Sequence, residues 1–411
     1  MRKILLTAIF IGVFVLALNF AFRLNYSDYV ESPSKFKNFV ASLFFIDSTT
    51  KETLKNAYGK ADKGEKKLSF LIVPGHDSVL PGTEFREMKE ADLTVELGEE
   101  LYSLLAADTH FDVRLSRTRA GYDPAIAEFI REKKAEITEF VKSQKTLMNR
   151  YIALGKIESR IFVKHNVAPT DMAYKLYGIN KWANETGVDI ILHIHFNDYP
   201  TRMRSELGTY SGFSVYVPES QYSNAKGSQA IAEAIYARLA RFYPSSDLPK
   251  ENTGIVEDQE LIAIGSNNTV DGAALLVEYG YIYEPHLQDA AIRPKVMSDL
   301  AFQTYLGIMD FFGDDVKKKS YETRLIPHEW REDIFRPGSA NKDTLSLQAA
   351  LIIEGLYPPA GNSLNECPMS GNFGACTEKA VKAFQEKHNI LPQTGYVGEK
   401  TRSKLNELYK K

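Results

Sequence analysis

Short apolar runs alternate with amphipathic stretches from Leu68 to about Gly313. Leu68–Val73 is almost continuously apolar and stops at Pro74-Gly75, and Phe111–Ser116, Val188–Phe196, Gly212–Val217 and Ala273–Ile282 repeat the pattern. These runs predict strands buried on both faces. Between them, Glu90–Leu105 places leucine at 93, 97, 101 and 104/105, and Ser228–Phe242 and Asp299–Phe312 are also amphipathic. Those spacings predict helices. Strand–helix alternation with apolar strands implies a mostly parallel sheet flanked by helices. The fold class is α/β.

Other segments break this rhythm. Residues 124–168, with a helix expected over Ile126–Lys145, are charged and are read as an insertion on the sheet domain rather than a core element: a lid or a solvated decoration. Residues 24–66 are polar and predict a tether with some local helix, and 314–340 predict a linker. The sheet domain is then 67–313 and a C-terminal module spans 341–411. That module holds an internal repeat: Gly371-Asn-Phe373-Gly374-Ala-Cys-Thr377 matches Gly395-Tyr-Val397-Gly398-Glu-Lys-Thr401 at an offset of 24. Its glycines suit tight turns, and its threonines are expected to cap the helices that follow. With Leu345–Glu354 in front, the pattern predicts a small all-α three-helix module that binds rather than catalyses.

The N-terminus bears on location. Arg2 and Lys3 precede an apolar stretch from Ile4 to Phe22. Those 19 residues span roughly 28 Å as a helix, close to a bilayer core. A cleaved signal peptide is the competing reading, but no small-x-small site precedes Arg23. An uncleaved transmembrane helix over 1–23 is favoured, with the basic end inside. Either way the rest of the chain is expected to work outside the cytoplasm, membrane-tethered or secreted.

Composition narrows the chemistry. With 50 Lys+Arg against 53 Asp+Glu and a net charge of -3, the chain lacks the basic excess of a nucleic-acid binder. At 44% hydrophobic and 25% charged it is an ordinary globular chain. Two cysteines cannot build a four-thiolate metal site, and Cys367 and Cys376 can join only in an oxidising compartment. Any metal must therefore be held mainly by His and carboxylate.

Open parallel sheets bind ligands at the carboxyl ends of their strands. His76 follows the first strand, and His195 closes Ile190-Ile-Leu-His193-Ile-His195. Glu278 lies within Ala273-Ala-Leu-Leu-Val-Glu278, on one face with Leu276. Glu90 shares the apolar face of Leu93 and Leu97. Buried carboxylates need a partner or a metal. Two neutral imidazoles and one carboxylate suit a catalytic zinc with one position left for water, and a further carboxylate, Glu278, can move the proton. His193 is the alternative to His195, or its supporting partner. Glu84, Glu87 and Glu96 are rivals to Glu90.

At these residues the chain resembles the zinc-dependent N-acetylmuramoyl-L-alanine amidases of the amidase-3 type. Val73-Pro-Gly-His76 resembles D-P-G-H, and Glu90-Ala-Asp-Leu93 resembles E-K-D-L. Leu115-Ser-Arg117-Thr-Arg119 is similar to L-T-R-T-x, His193-Ile-His195-Phe-Asn197 to S-I-H-A-N, and Leu276-Val-Glu278-Tyr-Gly280-Tyr-Ile282 to L-V-E-x-G-F-x. The resemblance implies zinc on His76, Glu90 and His195, with Glu278 as the catalytic carboxylate. His193 and Phe196 depart from the family's Ser and Ala. The repeat module, through Leu347-Gln348 and Ala383-Phe384-Gln385, resembles a three-helix peptidoglycan-binding module. Together these imply a hydrolase that cuts the amide between N-acetylmuramic acid and L-alanine, with peptidoglycan as its partner. The rivals are a zinc peptidase acting within the stem peptide and a non-catalytic wall anchor.

Overall fold

Leu68–Pro74 forms strand β1 in this computed structural model, whose described residues are 48–159, 170–199, 202–265, 271–313, 322–335 and 340–411. The expected N-terminal transmembrane helix lies outside the described residues. Among the described residues no helix is long and apolar enough to cross a membrane.

Six strands make one sheet: β1, β2 (Phe111–Leu115), β3 (Ile190–Asn197), β4 (Ser214–Pro218), β5 (Ile255–Asp258) and β6 (Ala273–Tyr281). Their order is β2-β1-β3-β6-β4-β5. All neighbours run parallel except β6 and β4. β5 was not foreseen: its four residues, Ile255-Val-Glu-Asp258, are half polar and short.

Alternation in β1 explains the layers. Phe70 and Ile72 face one side, with α2 (Glu90–Ala106), α6 (Ala225–Leu239) and α7 (Arg293–Phe312) supplying Leu97, Leu101, Ile235 and Leu300. Leu71 and Val73 face the other, against Ile126, Ile179 and Trp182. A strand apolar on both faces is thus covered on both faces. α7 starts six residues before the expected Asp299, with a proline in its first turn.

Two segments expected at the periphery belong to the core. Asp123 caps α3 (Pro124–Glu132) by accepting from the Ala125 and Ile126 amides, and fully buried Ile126 packs on the sheet. The single helix expected over Ile126–Lys145 is two, α3 and α4 (Lys134–Ala153), broken at Lys133. The first of them is sheet cover, not insertion. It packs with α5 (Thr170–Thr186), where Gly178 leaves room for Ile130. Residues 145–159 belong to a separate compact unit. Likewise part of the expected tether is helix α1 (Lys51–Ala61), whose Tyr58 stacks between His110 and Phe312.

The C-terminal module is three helices: α8 (Lys342–Ile353), α9 (Ala375–Lys387) and α10 (Glu399–Tyr409). The threonines of its repeat do not cap, contrary to expectation. Gly374 and Gly398 occupy the cap positions, which places Thr377 and Thr401 inside the first turn. Their hydroxyls instead accept from Gln348 and Gln385 of the preceding helices, at 3.0 and 2.9 Å. The expected linker is not a free spacer either. Leu325, Ile326 and Trp330 are buried, and Trp330 exchanges backbone hydrogen bonds with the Asn406 side chain. Cys367 and Cys376 form a disulfide.

Candidate metal centre

The site forms where β1 and β3 end and α2 begins. β1 runs into Pro74-Gly75-His76, and His76 takes a left-handed φ of 62°. Few non-glycine residues adopt that conformation unless their surroundings hold them there. Glu90 opens α2, and His195 lies near the end of β3.

Glu90 is the hub, 4% exposed. Its Oε1 accepts from the Phe196 amide at 3.2 Å and sits 2.9 Å from His195 Nδ1. Its Oε2 accepts from the Thr83 amide at 3.0 Å and sits 3.2 Å from His76 Nε2. One ligand atom from each of the three residues lies within 4.8 Å of the others. The imidazoles meet edge to face, with centroids 5.1 Å apart.

Two glycines clear this space. A Cβ at Gly75 would lie 2.3 Å from the His195 ring, and one at Gly82 would lie 2.4 Å from Glu90 Oε2 and 2.6 Å from His76. A side chain at either position would displace one of these three side chains.

The rivals do not join. Glu84 pairs with Arg204 at 2.8 Å, and Glu87 and Glu96 lie outside the group. His193 is fully buried, and neither of its ring nitrogens has a partner among the described residues. Burial, with the neighbouring His195, pushes its pKa down to about 3, which favours the neutral ring.

Glu278 of β6 is the register partner of His195 in β3. In neighbouring parallel strands, paired positions project to the same face. Its Oε2 is buried and unpartnered among the described residues. Burial, then the negative charges of Glu90 and Glu251, raises its pKa well above the carboxylate range.

Burial alone would raise Glu90, but the His76 charge and hydrogen bonds from both imidazoles outweigh it and hold the carboxyl low. Burial lowers His195 despite Glu90, whereas at His76 the same carboxylate wins and raises the pKa.

Two residues had no signal strong enough to assign a role. Glu251, in the polar stretch Glu251-Asn-Thr-Gly254, is 2% exposed. It accepts from Tyr216 Oη at 2.5 Å and from Asn197 Nδ2 at 3.0 Å. Arg117 stood out only as part of a motif.

Comparison with known proteins gives the family. The sequence matches the N-acetylmuramoyl-L-alanine amidase family over residues 70–310, more than half of the chain. The chain belongs to that family. Residues 340–405 of the amidase match a peptidoglycan-binding domain. None of the curated proteins matches it significantly. Similar solved structures include the CwlD amidase from Clostridioides difficile in complex with the GerS lipoprotein, at 15% identity and a TM-score of 0.38 over 60% of this chain and 98% of that one. Another is the Ami1 amidase from Mycobacterium smegmatis, at 16% and 0.38 over 60% and 97%. AmiC2 of Nostoc punctiforme is similar at 15% and 0.36 over the same shares.

Two imidazoles and a carboxylate, converging in a space cleared by two glycines, fit a catalytic zinc ion.

Proposed function

We propose that this cell-wall amidase is zinc-dependent, with His76, Glu90 and His195 holding the ion and Glu278 handling the proton. The observation that carries this is the convergence of the three donors at the strand ends, with Glu278 in register beside His195. The bond cut is the amide between the lactyl group of N-acetylmuramic acid and L-alanine of the stem peptide. Bound zinc would polarise the scissile carbonyl, make water more acidic and favour ionised Glu278 through its positive charge.

The chain's own residues do the rest. Glu278 takes the proton of the attacking water on its carboxylate and returns it to the alanine nitrogen as the C–N bond breaks. The products are the lactyl carboxylate and a free amino terminus. Glu90 accepts hydrogen bonds from the Thr83 and Phe196 amides, which fix its orientation. Such outer partners tune a metal ligand's basicity and position.

The C-terminal module supplies a second contact with the same polymer. The Cys367–Cys376 bond supports an oxidising, extracytoplasmic setting, and the apolar length of residues 4–22 supports a membrane tether.

Metal analysis of the purified chain, together with mass spectrometry of digested sacculi, tests the proposal. One zinc per chain, intact stem peptides with a free L-alanine terminus, and glycan stripped of peptide are expected. Cleavage inside the stem would replace the reading with a peptidase. No zinc and no solubilisation would replace it with a wall anchor.

A further inference from the structure

His76 and Glu90 come from different elements, the end of β1 and the start of α2. One side chain ties the two together. Arg117, 5% exposed, donates from Nε to the Pro74 carbonyl at 3.1 Å. Its Nη2 donates to the Gly75 carbonyl at 2.7 Å, the Ala91 carbonyl at 2.9 Å and Thr94 Oγ1 at 3.0 Å. Gly75 directly precedes His76, and Ala91 directly follows Glu90. Fully buried Thr94 closes the network by donating to the Gly75 carbonyl at 2.9 Å.

Every acceptor of this guanidinium is neutral. Among the described residues no carboxylate pairs with it, unlike Arg238, which is equally buried but forks onto Asp310. A buried cation with no carboxylate in its hydrogen-bond shell is costly, and Asp77, Asp92 and Glu90 favour the Arg117 charge without bonding to it. A plain structural tie between two backbones does not need a buried cation. A rigid fork that reaches three carbonyls at once does require guanidinium, since an ammonium acts as a point donor. The fork also pins the carbonyl just before His76, where the backbone is held at positive φ.

We propose that Arg117 is the positioning residue of the metal centre, setting the His76-bearing strand end against the Glu90-bearing helix start so that metal affinity depends on its fork. This rests on the reading that His76, Glu90 and His195 hold zinc.

The test compares wild type, Arg117→Lys, Arg117→Gln and, as a control, Arg238→Gln. Zinc Kd is measured by chelator competition and thermal unfolding is followed on the metal-free proteins. Loss of a residue supporting metal ligands lowers affinity roughly 10–100-fold. Arg117→Gln is expected to weaken zinc binding by roughly tenfold or more, with Arg117→Lys losing less. Arg238→Gln is expected to lower the Tm while keeping the wild-type Kd. If Arg117→Gln does not fold, Arg117→Lys decides. A wild-type zinc Kd in folded Arg117→Lys or Arg117→Gln overturns the positioning role and leaves the site reading intact. A wild-type protein that binds no zinc takes down the site reading and this inference with it.

Discussion

Two buried polar arrays in this protein are built on opposite terms. In the C-terminal module, Gln348 Nε2 donates to the Asn372 carbonyl and Thr377 Oγ1, while its Oε1 accepts from the Gly371 amide. Gln385 repeats this with the Tyr396 carbonyl, Thr401 Oγ1 and the Gly395 amide. In each clamp the side-chain amide has all its main partners, and the glycine sits at positive φ, 73° and 79°. The strand-end site differs. Glu278 Oε2 is unpartnered among the described residues, and His76 is held at a φ of 62°. The saturated clamps hold the module's fold, while the unpartnered Glu278 oxygen and the strained His76 sit together at the strand ends.

Removing the unsaturated carboxylate breaks that contrast most sharply. Glu278→Gln keeps shape but cannot take a proton. Loss of a general acid–base group costs typically 10²–10⁴-fold, so kcat is expected to fall by that factor while one zinc per chain remains. If zinc leaves as well, Glu278 is a ligand. Gly82→Ala is expected to act through the metal instead. Its Cβ would press on Glu90 Oε2 and His76 at a positive-φ position, so zinc affinity is expected to drop about tenfold or more, read by chelator competition. His195→Ala is expected to lose the metal and His193→Ala to keep it. The reverse outcome would exchange their roles.

The module answers differently. Gln385→Ala orphans the Gly395 amide, the Tyr396 carbonyl and the Thr401 hydroxyl. Leaving buried groups unpaired costs roughly 1–3 kcal/mol, and Gln348→Ala is expected to cost about the same. Thermal unfolding reads the loss. Turnover of a small soluble muropeptide is expected to hold while binding to sacculi weakens. Loss of turnover on the small substrate would show that the clamps also support catalysis.

The same contrast explains what could be read from the sequence. The four candidate residues stood out because each is a polar group in an apolar frame: His76 and His195 at ends of apolar runs, Glu90 on a leucine face, and Glu278 inside a strand. The clamps were legible only as a repeat. Thr377 and Thr401 look like caps because they follow Gly-x-x, yet the glycines hold that position and the hydroxyls are taken by glutamines far away in sequence. Arg117 and Glu251 were unreadable as participants for the same reason, since their partners are backbone carbonyls and residues brought near only by folding. α3 reads as part of an insertion because Glu128, Arg131 and Glu132 hide the buried Ile126.

The smallest expected effect is an acid limb in the module. Glu354, at the end of α8, accepts from Tyr409 Oη at 2.6 Å and Lys387 Nζ at 2.6 Å, with His388 Nε2 3.4 Å away. It thereby joins the ends of all three helices. Burial would raise its pKa, but the hydrogen bonds from Lys387 and Tyr409 outweigh burial and hold it below the ordinary 4.5. The folded state therefore binds the proton less readily than the unfolded chain. That contribution to stability is fully present above pH 4.5 and is lost as pH falls through the lower folded value. Glu354→Gln is expected to cost about 1 kcal/mol near neutral pH, and the gap to wild type is expected to close as the solution is acidified below 4.5. Equal destabilisation at pH 7 and pH 3 would show that the side chain acts by packing, and that charge has no part in holding the three helix ends together.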